Sequence, residues 1–143
     1  DADGQHAPRE LSRLFGAFMR DNADLVIGAR AFDEQQVPWT SRLGNKLTAR
    51  LTRRLLRQNI PDTQSGYRLH SRRLVEHLLA RVRGGRYETE MQILVEAVRG
   101  GFRVTSIPIQ TIYERGNPSS HFNKLSDSYR IWRQLVRAAR RKT

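Results

Sequence analysis

The residue types best suited to chemistry stand at the opening of the chain. Asp1-Ala2-Asp3-Gly4-Gln5 offers two carboxylates and an amide carbonyl in one short segment. Where such a segment turns at a strand end, Asp1, Asp3 and Gln5 can all reach one hard cation. An all-oxygen donor set suits Mg²⁺ or Mn²⁺, ions that commonly bridge to a substrate diphosphate. The plain alternative is a solvated acidic terminus, because Asp-x-Asp alone is a common pattern. Further along, Asp62 in Asp62-Thr63-Gln64-Ser65-Gly66-Tyr67-Arg68 is a candidate base or acceptor-side carboxylate. It could instead orient Arg68, assist a metal, or simply form an Asx-turn after Pro61. Arg30 and Arg42 are candidate phosphate ligands, since a guanidinium fork binds phosphate oxygens in pairs. On residue type alone, a surface ion pair explains either one equally well.

The charge balance gives these arginines a context. The 143 residues carry 26 Lys+Arg against 14 Asp+Glu, a net of +12. A basic body attracts phosphate as nucleic acid, as an anionic membrane surface or as a phosphorylated lipid. The acidic opening suits none of these unless a metal ion intervenes. The absence of cysteine excludes disulfides, thiolate metal sites and a Cys nucleophile. No stretch approaches the roughly 20 apolar residues of a membrane-spanning helix. No signal peptide is visible, and an opening without Met leads us to expect the natural N-terminus upstream.

The elements that must position these groups follow from periodicity. Pro8 to Arg20 is expected as a helix, with Leu11, Leu14, Phe15 and Phe18 on one face. Leu25 to Ala29, after a polar Asp21-Asn22-Ala23-Asp24 break, is expected as a buried strand. Residues 39–58 are expected as a helix with a stripe of Trp39, Leu43, Leu47, Leu51 and Leu55 beside six basic residues, ended by Asn59 and Pro61. Tyr67-Arg68-Leu69 is expected as a short strand. Ser71 is the expected N-cap of a helix to about Ala80. Tyr87 to Arg99 is expected as a helix stopped by Gly100-Gly101. Residues 102–112 are expected as a strand with Pro108 at an edge or bulge. A basic helix over 125–140 closes the chain. The pattern is α/β, one domain over 1–143, with too few strands for a finished sheet.

Five blocks in order carry a family resemblance. Asp1-Ala2-Asp3-Gly4-Gln5-His6, Leu25-Val26-Ile27-Gly28-Ala29-Arg30, Asp62 to Arg68, Tyr87-Glu88-Thr89-Glu90 and Ile112-Tyr113-Glu114-Arg115 resemble family 2 glycosyltransferases. The resemblance is to dolichyl-phosphate mannose synthase and bacterial polyprenyl-phosphate glycosyltransferases. It implies a GT-A fold, with Asp1, Asp3 and Gln5 holding the metal on the donor diphosphate. It implies that Arg30 and Arg42, with Asn45 as a weaker neighbour, face the lipid phosphate. It places Glu90 near the substrate as a second catalytic candidate beside Asp62, and counts Arg68 among the phosphate-binding residues. The loop carrying Arg115, Ser120 and His121 would close over the phosphates, although many relatives have a Lys where this chain has His121. The Asp-x-Asp stands at mid-domain in that family. The chain is therefore expected to be the acceptor-side half, without the nucleotide-binding strands and inactive alone.

The expected reaction moves a hexose from a nucleotide-sugar donor, of the GDP-mannose or UDP-glucose class, to a polyprenyl phosphate. The expected location is peripheral, at the cytoplasmic face of a membrane. Two alternatives stand beside it. A basic nucleic-acid-binding domain accounts for the charge but not for the ordered blocks, so no nucleic-acid partner is expected. A non-catalytic membrane-surface remnant is the other. The helix over 39–58 suits either an interface with acyl chains or a packed core with a solvated basic flank.

Overall fold

The computed structural model describes residues 8–30, 39–85, 88–110 and Arg133, with backbone alone for 39–45. The elements are α1 (Arg9–Arg20), β1 (Leu25–Arg30), α2 (Trp39–Leu56), β2 (Arg68–His70), α3 (Arg72–Leu79), α4 (Thr89–Arg99) and β3 (Val104–Ile109). The strand order is β2-β1-β3. β1 runs antiparallel to β2 and parallel to β3, with Leu25 opposite His70 and Arg30 opposite Ile109. Apart from Arg133, the helix expected over 125–140 lies outside the described residues.

Period-two alternation along β1 sends its side chains into two cores. Leu25 and Ile27 join Leu56, Leu74, Leu78, Met91 and Leu94 on the face covered by α2, α3 and α4. Val26 joins Leu14, Ala17 and Ile109 on the face covered by α1. Leu74, Met91 and Leu94 are fully buried, each contributing roughly 1.5–3 kcal/mol of apolar transfer. β3 is an edge of the described sheet, which explains how Pro108 is tolerated within it.

Two helices turn differently from the expected stripes. On α1, Leu14, Ala17 and the half-buried Phe18 face the sheet, whereas Leu11 and Phe15 stand exposed with Met19. The sheet therefore takes a narrower strip than the apolar composition offers. On α2, the buried positions are Thr48, Thr52 and Leu56, with Leu51 and Leu55 at the flank of the core and Leu47 exposed. The inward row of Thr48, Thr52 and Leu56 runs parallel to the leucine row, one position on and so about 100° further round the helix, which leaves Leu51 and Leu55 at its flank. This helix ends at Leu56, earlier than expected, because Arg57 takes a left-handed backbone (φ 56°). At α4 the expected stop holds. Gly101 has φ +72°, the Phe102 N–H returns to the Ala97 carbonyl at 2.9 Å, and a side chain on Gly100 would collide with the Phe102 ring.

The lower end of β1 is stapled by Asp24, a buried residue that the expected polar break conceals. Its Oδ1 accepts from Ser71 Oγ at 2.7 Å and from Arg73 Nε, and its Oδ2 accepts from Arg73 Nη2 and from the Arg103 N–H at 3.0 Å. Ser71 Oγ also accepts from the Leu74 N–H, which is the cap of α3. One carboxylate thus ties β1, the start of α3 and the approach to β3. The Arg73 guanidinium, helped by Ser71 and the Arg103 N–H and opposed by burial, holds the Asp24 carboxyl down at about 2. Its folded-state value lies below the unfolded value of 3.8, so the stabilisation is complete above that pH and fades as pH falls toward 2. Asp24→Asn is expected to cost about 1–2 kcal/mol at neutral pH, a range reduced because water screens the exposed Arg73. Urea denaturation at a series of pH values should show that cost shrinking between pH 4 and 2.

Candidate active site

In open α/β sheets, ligands bind beyond the carboxyl ends of the parallel strands. Here that edge carries Arg30, the last residue of β1, beside Ile109 at the end of β3. Gly28 permits the close approach of their surroundings. A Cβ there would meet Ile109 Cδ1 at 2.9 Å and the Tyr67 ring at 3.2 Å, and its N–H donates to the Tyr67 carbonyl at 2.9 Å.

Arg30 is gripped by Asp62. Its Nε donates to Asp62 Oδ2 at 2.7 Å, its Nη2 to Oδ1 at 3.2 Å and its own backbone N–H to Oδ2 at 3.2 Å. The Gln64 N–H supplies a fourth donor to Oδ1, at 3.1 Å. The Asp62 side chain is wholly buried, whereas the Arg30 side chain keeps 24% of its surface. Four donors fill the lone-pair directions of a carboxylate. That geometry suits a group that aims a guanidinium, and leaves poor access for a proton to be taken from an acceptor.

Arg68 serves the same loop from the other side. Its Nε donates to the Ser65 carbonyl at 2.7 Å, its Nη2 to the Thr63 carbonyl at 2.8 Å and its Nη1 to the Glu90 carbonyl at 2.7 Å. Burial pulls its guanidinium down to about 10, against the charges of Glu90 and Asp62, which hold it up, and that of Arg30, which adds to the fall. It remains a cation at neutral pH, locked into the loop and the first turn of α4. The two residues expected as a base and a phosphate ligand are thus already engaged within the chain: Asp62 is bonded to Arg30 and Gln64, and the Arg68 guanidinium to three backbone carbonyls.

The structure thus brings Arg30, Asp62, Arg68 and Glu90 into one cluster. Thr63 and Ser65, buried with Asp62, were missed as parts of it. Their signal was the Asp62 to Arg68 block that contains them both. Arg42 and Asn45 lie on α2, where backbone alone is described, and Asp1, Asp3, Gln5, Arg115, Ser120 and His121 lie outside the described residues. Among the described residues no group of three or more His, Cys, Asp or Glu side chains could hold a metal ion. The all-oxygen set of Asp1, Asp3 and Gln5 fits a hard divalent cation by its chemistry.

Residues 1–79 match the profile of glycosyl transferase family 2. The chain belongs to that family. Similar curated proteins cover most of this family 2 chain. It is 38% identical over 119 residues to the polyprenol monophosphomannose synthase of Mycolicibacterium smegmatis, covering 80% of this chain and 44% of that protein. It is 32% identical over 116 residues to the UDP-N-acetylglucosamine–dolichyl-phosphate N-acetylglucosaminyltransferase of Methanococcus voltae, covering 79% and 46%. It is 34% identical over 119 residues to the undecaprenyl-phosphate mannosyltransferase of Micrococcus luteus, covering 80% and 48%. The chain spans about half the length of these curated relatives. No solved structure matches it.

Removing the buried carboxylate leaves Arg30 without its counter-charge and the Gln64 N–H without a partner. Asp62→Ala is expected to lower stability by about 3 kcal/mol. Arg68→Met, which orphans three carbonyls, should cost about as much. Both are read from chemical denaturation midpoints, and a loss under about 1 kcal/mol for either would contradict a network of this kind.

Proposed function

We propose that this chain supplies the acceptor-side residues of a glycosyltransferase that moves a hexose or N-acetylhexosamine from a nucleoside diphosphate sugar to a polyprenyl phosphate. The observation that carries the reading is the Arg30–Asp62 pair, a partly exposed guanidinium held by a buried carboxylate at the carboxyl end of the parallel strands. The named activities of the three relatives support the acceptor class. The donor sugar and base stay open between the mannose, glucose and N-acetylglucosamine classes.

In this reading, Arg30 meets the acceptor phosphate, with Arg42, Asn45, Arg115, Ser120 and His121 as further ligands to the two phosphate groups. The acceptor oxygen is already anionic, so it attacks the anomeric carbon with little need of a base. The bond between that carbon and the diphosphate oxygen breaks, and configuration inverts. A Mg²⁺ or Mn²⁺ ion on Asp1, Asp3 and Gln5 would offset the charge on the departing diphosphate. Asp62 acts through Arg30. Glu90 balances the charge of Arg68 and so keeps the loop in place. The exposed basic side of α2 suits a peripheral position on an anionic membrane.

The test is turnover by the intact protein with Mn²⁺, a long-chain polyprenyl phosphate and a panel of nucleotide sugars. One donor should be transferred, and EDTA should abolish transfer. Arg30→Ala should lower kcat/KM by roughly 100-fold, the loss expected when charge-assisted hydrogen bonds to phosphate disappear. Absence of transfer to any lipid phosphate, with every donor, would overturn the proposal.

A further inference from the structure

The loop over 62–68 and the first turn of α4 meet across one guanidinium. Arg68 Nη2 donates to the Thr63 carbonyl at 2.8 Å, and its Nη1 to the Glu90 carbonyl at 2.7 Å. Thr63 follows Asp62, whose carboxylate holds Arg30. Glu90 and Arg30 therefore flank the same short loop, and the charges of both act on the Arg68 guanidinium.

The backbone of Glu90 is pinned in this way, but its side chain is not. The residue is half-buried, and its carboxylate accepts no hydrogen bond and joins no ion pair among the described residues. Asp62, by contrast, already has four donors. Glu88, the other carboxylate at the start of α4, lies back against Gly85, where a Cβ would meet its Oε1 at 3.1 Å. Glu90 has thus given up part of its water without gaining a partner, which suits a group that receives donors from a ligand. A carboxylate only accepts, through two oxygens. It repels phosphate, and the acceptor oxygen of the proposed reaction carries no proton to give up. Hydroxyl groups are the donors that remain. A hexose offers several on adjacent ring carbons, and it is the part of the donor that lies next to the attacking phosphate.

We propose that Glu90 accepts hydrogen bonds from hydroxyl groups of the hexose being transferred and selects the sugar by them. This rests on the transferase reading above and names a specificity-determining residue within it. Arg30 and Glu90 divide the site by charge, the guanidinium taking the anion and the carboxylate taking the neutral sugar. A sugar without the contacted hydroxyl is rejected because the carboxylate then loses water and gains no donor in return.

The test crosses Glu90 variants with deoxy donors in the intact protein, with Mn²⁺, a polyprenyl phosphate and the nucleotide sugar that it transfers. Each hydroxyl of the hexose is removed in turn, and a donor with 2′-deoxyribose is included. In the unsubstituted protein, one or two adjacent hexose positions should show a loss of roughly 10- to 100-fold in kcat/KM, the range for hydrogen bonds to a charged group. Glu90→Ala, which keeps the carbonyl that Arg68 uses, should lose about as much with the parent donor and hardly more when the same hydroxyl is also missing. The intrinsic reactivity of each deoxy donor cancels in this cycle. Glu90→Gln, which accepts through its amide oxygen, should show the same pattern at smaller size, so the test stands even if Glu90→Ala proves unstable. A loss by the same factor with every donor, or no loss at all, would overturn this inference while leaving the transferase reading intact. Coupling to the ribose hydroxyl in place of the hexose would overturn it too. No transfer by the unsubstituted protein, from any donor to any lipid phosphate, would overturn both the inference and the reading on which it rests.

Discussion

A wholly buried carboxylate can stay charged only if the chain surrounds it with donors. Asp62 meets that condition with three N–H groups of Arg30 and one of Gln64. The constraint is strict, since an unpaired buried ion costs several kcal/mol. It follows that the carboxyl end of β1 and the loop over 62–68 cannot move independently. Arg68 extends the same logic, fastening the loop to the first turn of α4 through three carbonyls. One anion and two cations therefore set the positions of three separate stretches of chain. The exposed side of the Arg30 guanidinium is fixed as a by-product of that rigidity.

The opposite end of β1 repeats the device with a different outcome. Asp24 also gathers donors from distant segments, but its partners Ser71, Arg73 and Arg103 cap a helix and align a strand. Its network serves the fold, and it lies at the end of the sheet where parallel strands begin. The Asp62 network lies where they finish, the end that α/β sheets use for ligands. In the proposed reading, similar local chemistry divides into stability and function according to its place along a strand.

Most elements were legible because their periods were strong. The alternation of β1, the Ser71 cap and the double-glycine stop after Arg99 each depend on local chemistry that the neighbouring residues already contain. The inward faces of α1 and α2 were less legible, because apolar residues exceed what the core accepts on one helix and the row that turns inward on the other carries two threonines. Asp24 was concealed for another reason. Its partners come from segments roughly 50 and 80 positions away, and no local pattern marks a carboxylate that will be surrounded by them. The pairing of Asp62 with Arg30 was hidden in the same way. Both residues stood out by type and by family likeness, yet the one side-chain partner considered for Asp62, as an alternative to a base, was the nearby Arg68. Sequence proximity misled where the strand end supplied the real partner.

At the centre stands the claim that Asp62 works by aiming Arg30. A double-mutant cycle on kcat/KM for the lipid phosphate, using Arg30→Lys, Asp62→Asn and the pair together in the intact protein, tests it most directly. If one group acts through the other, the double variant should be hardly worse than the poorer single variant, with KM for the acceptor carrying most of the loss. Losses that multiply independently would show that Asp62 and Arg30 serve separate steps, and would contradict an aiming role for the carboxylate.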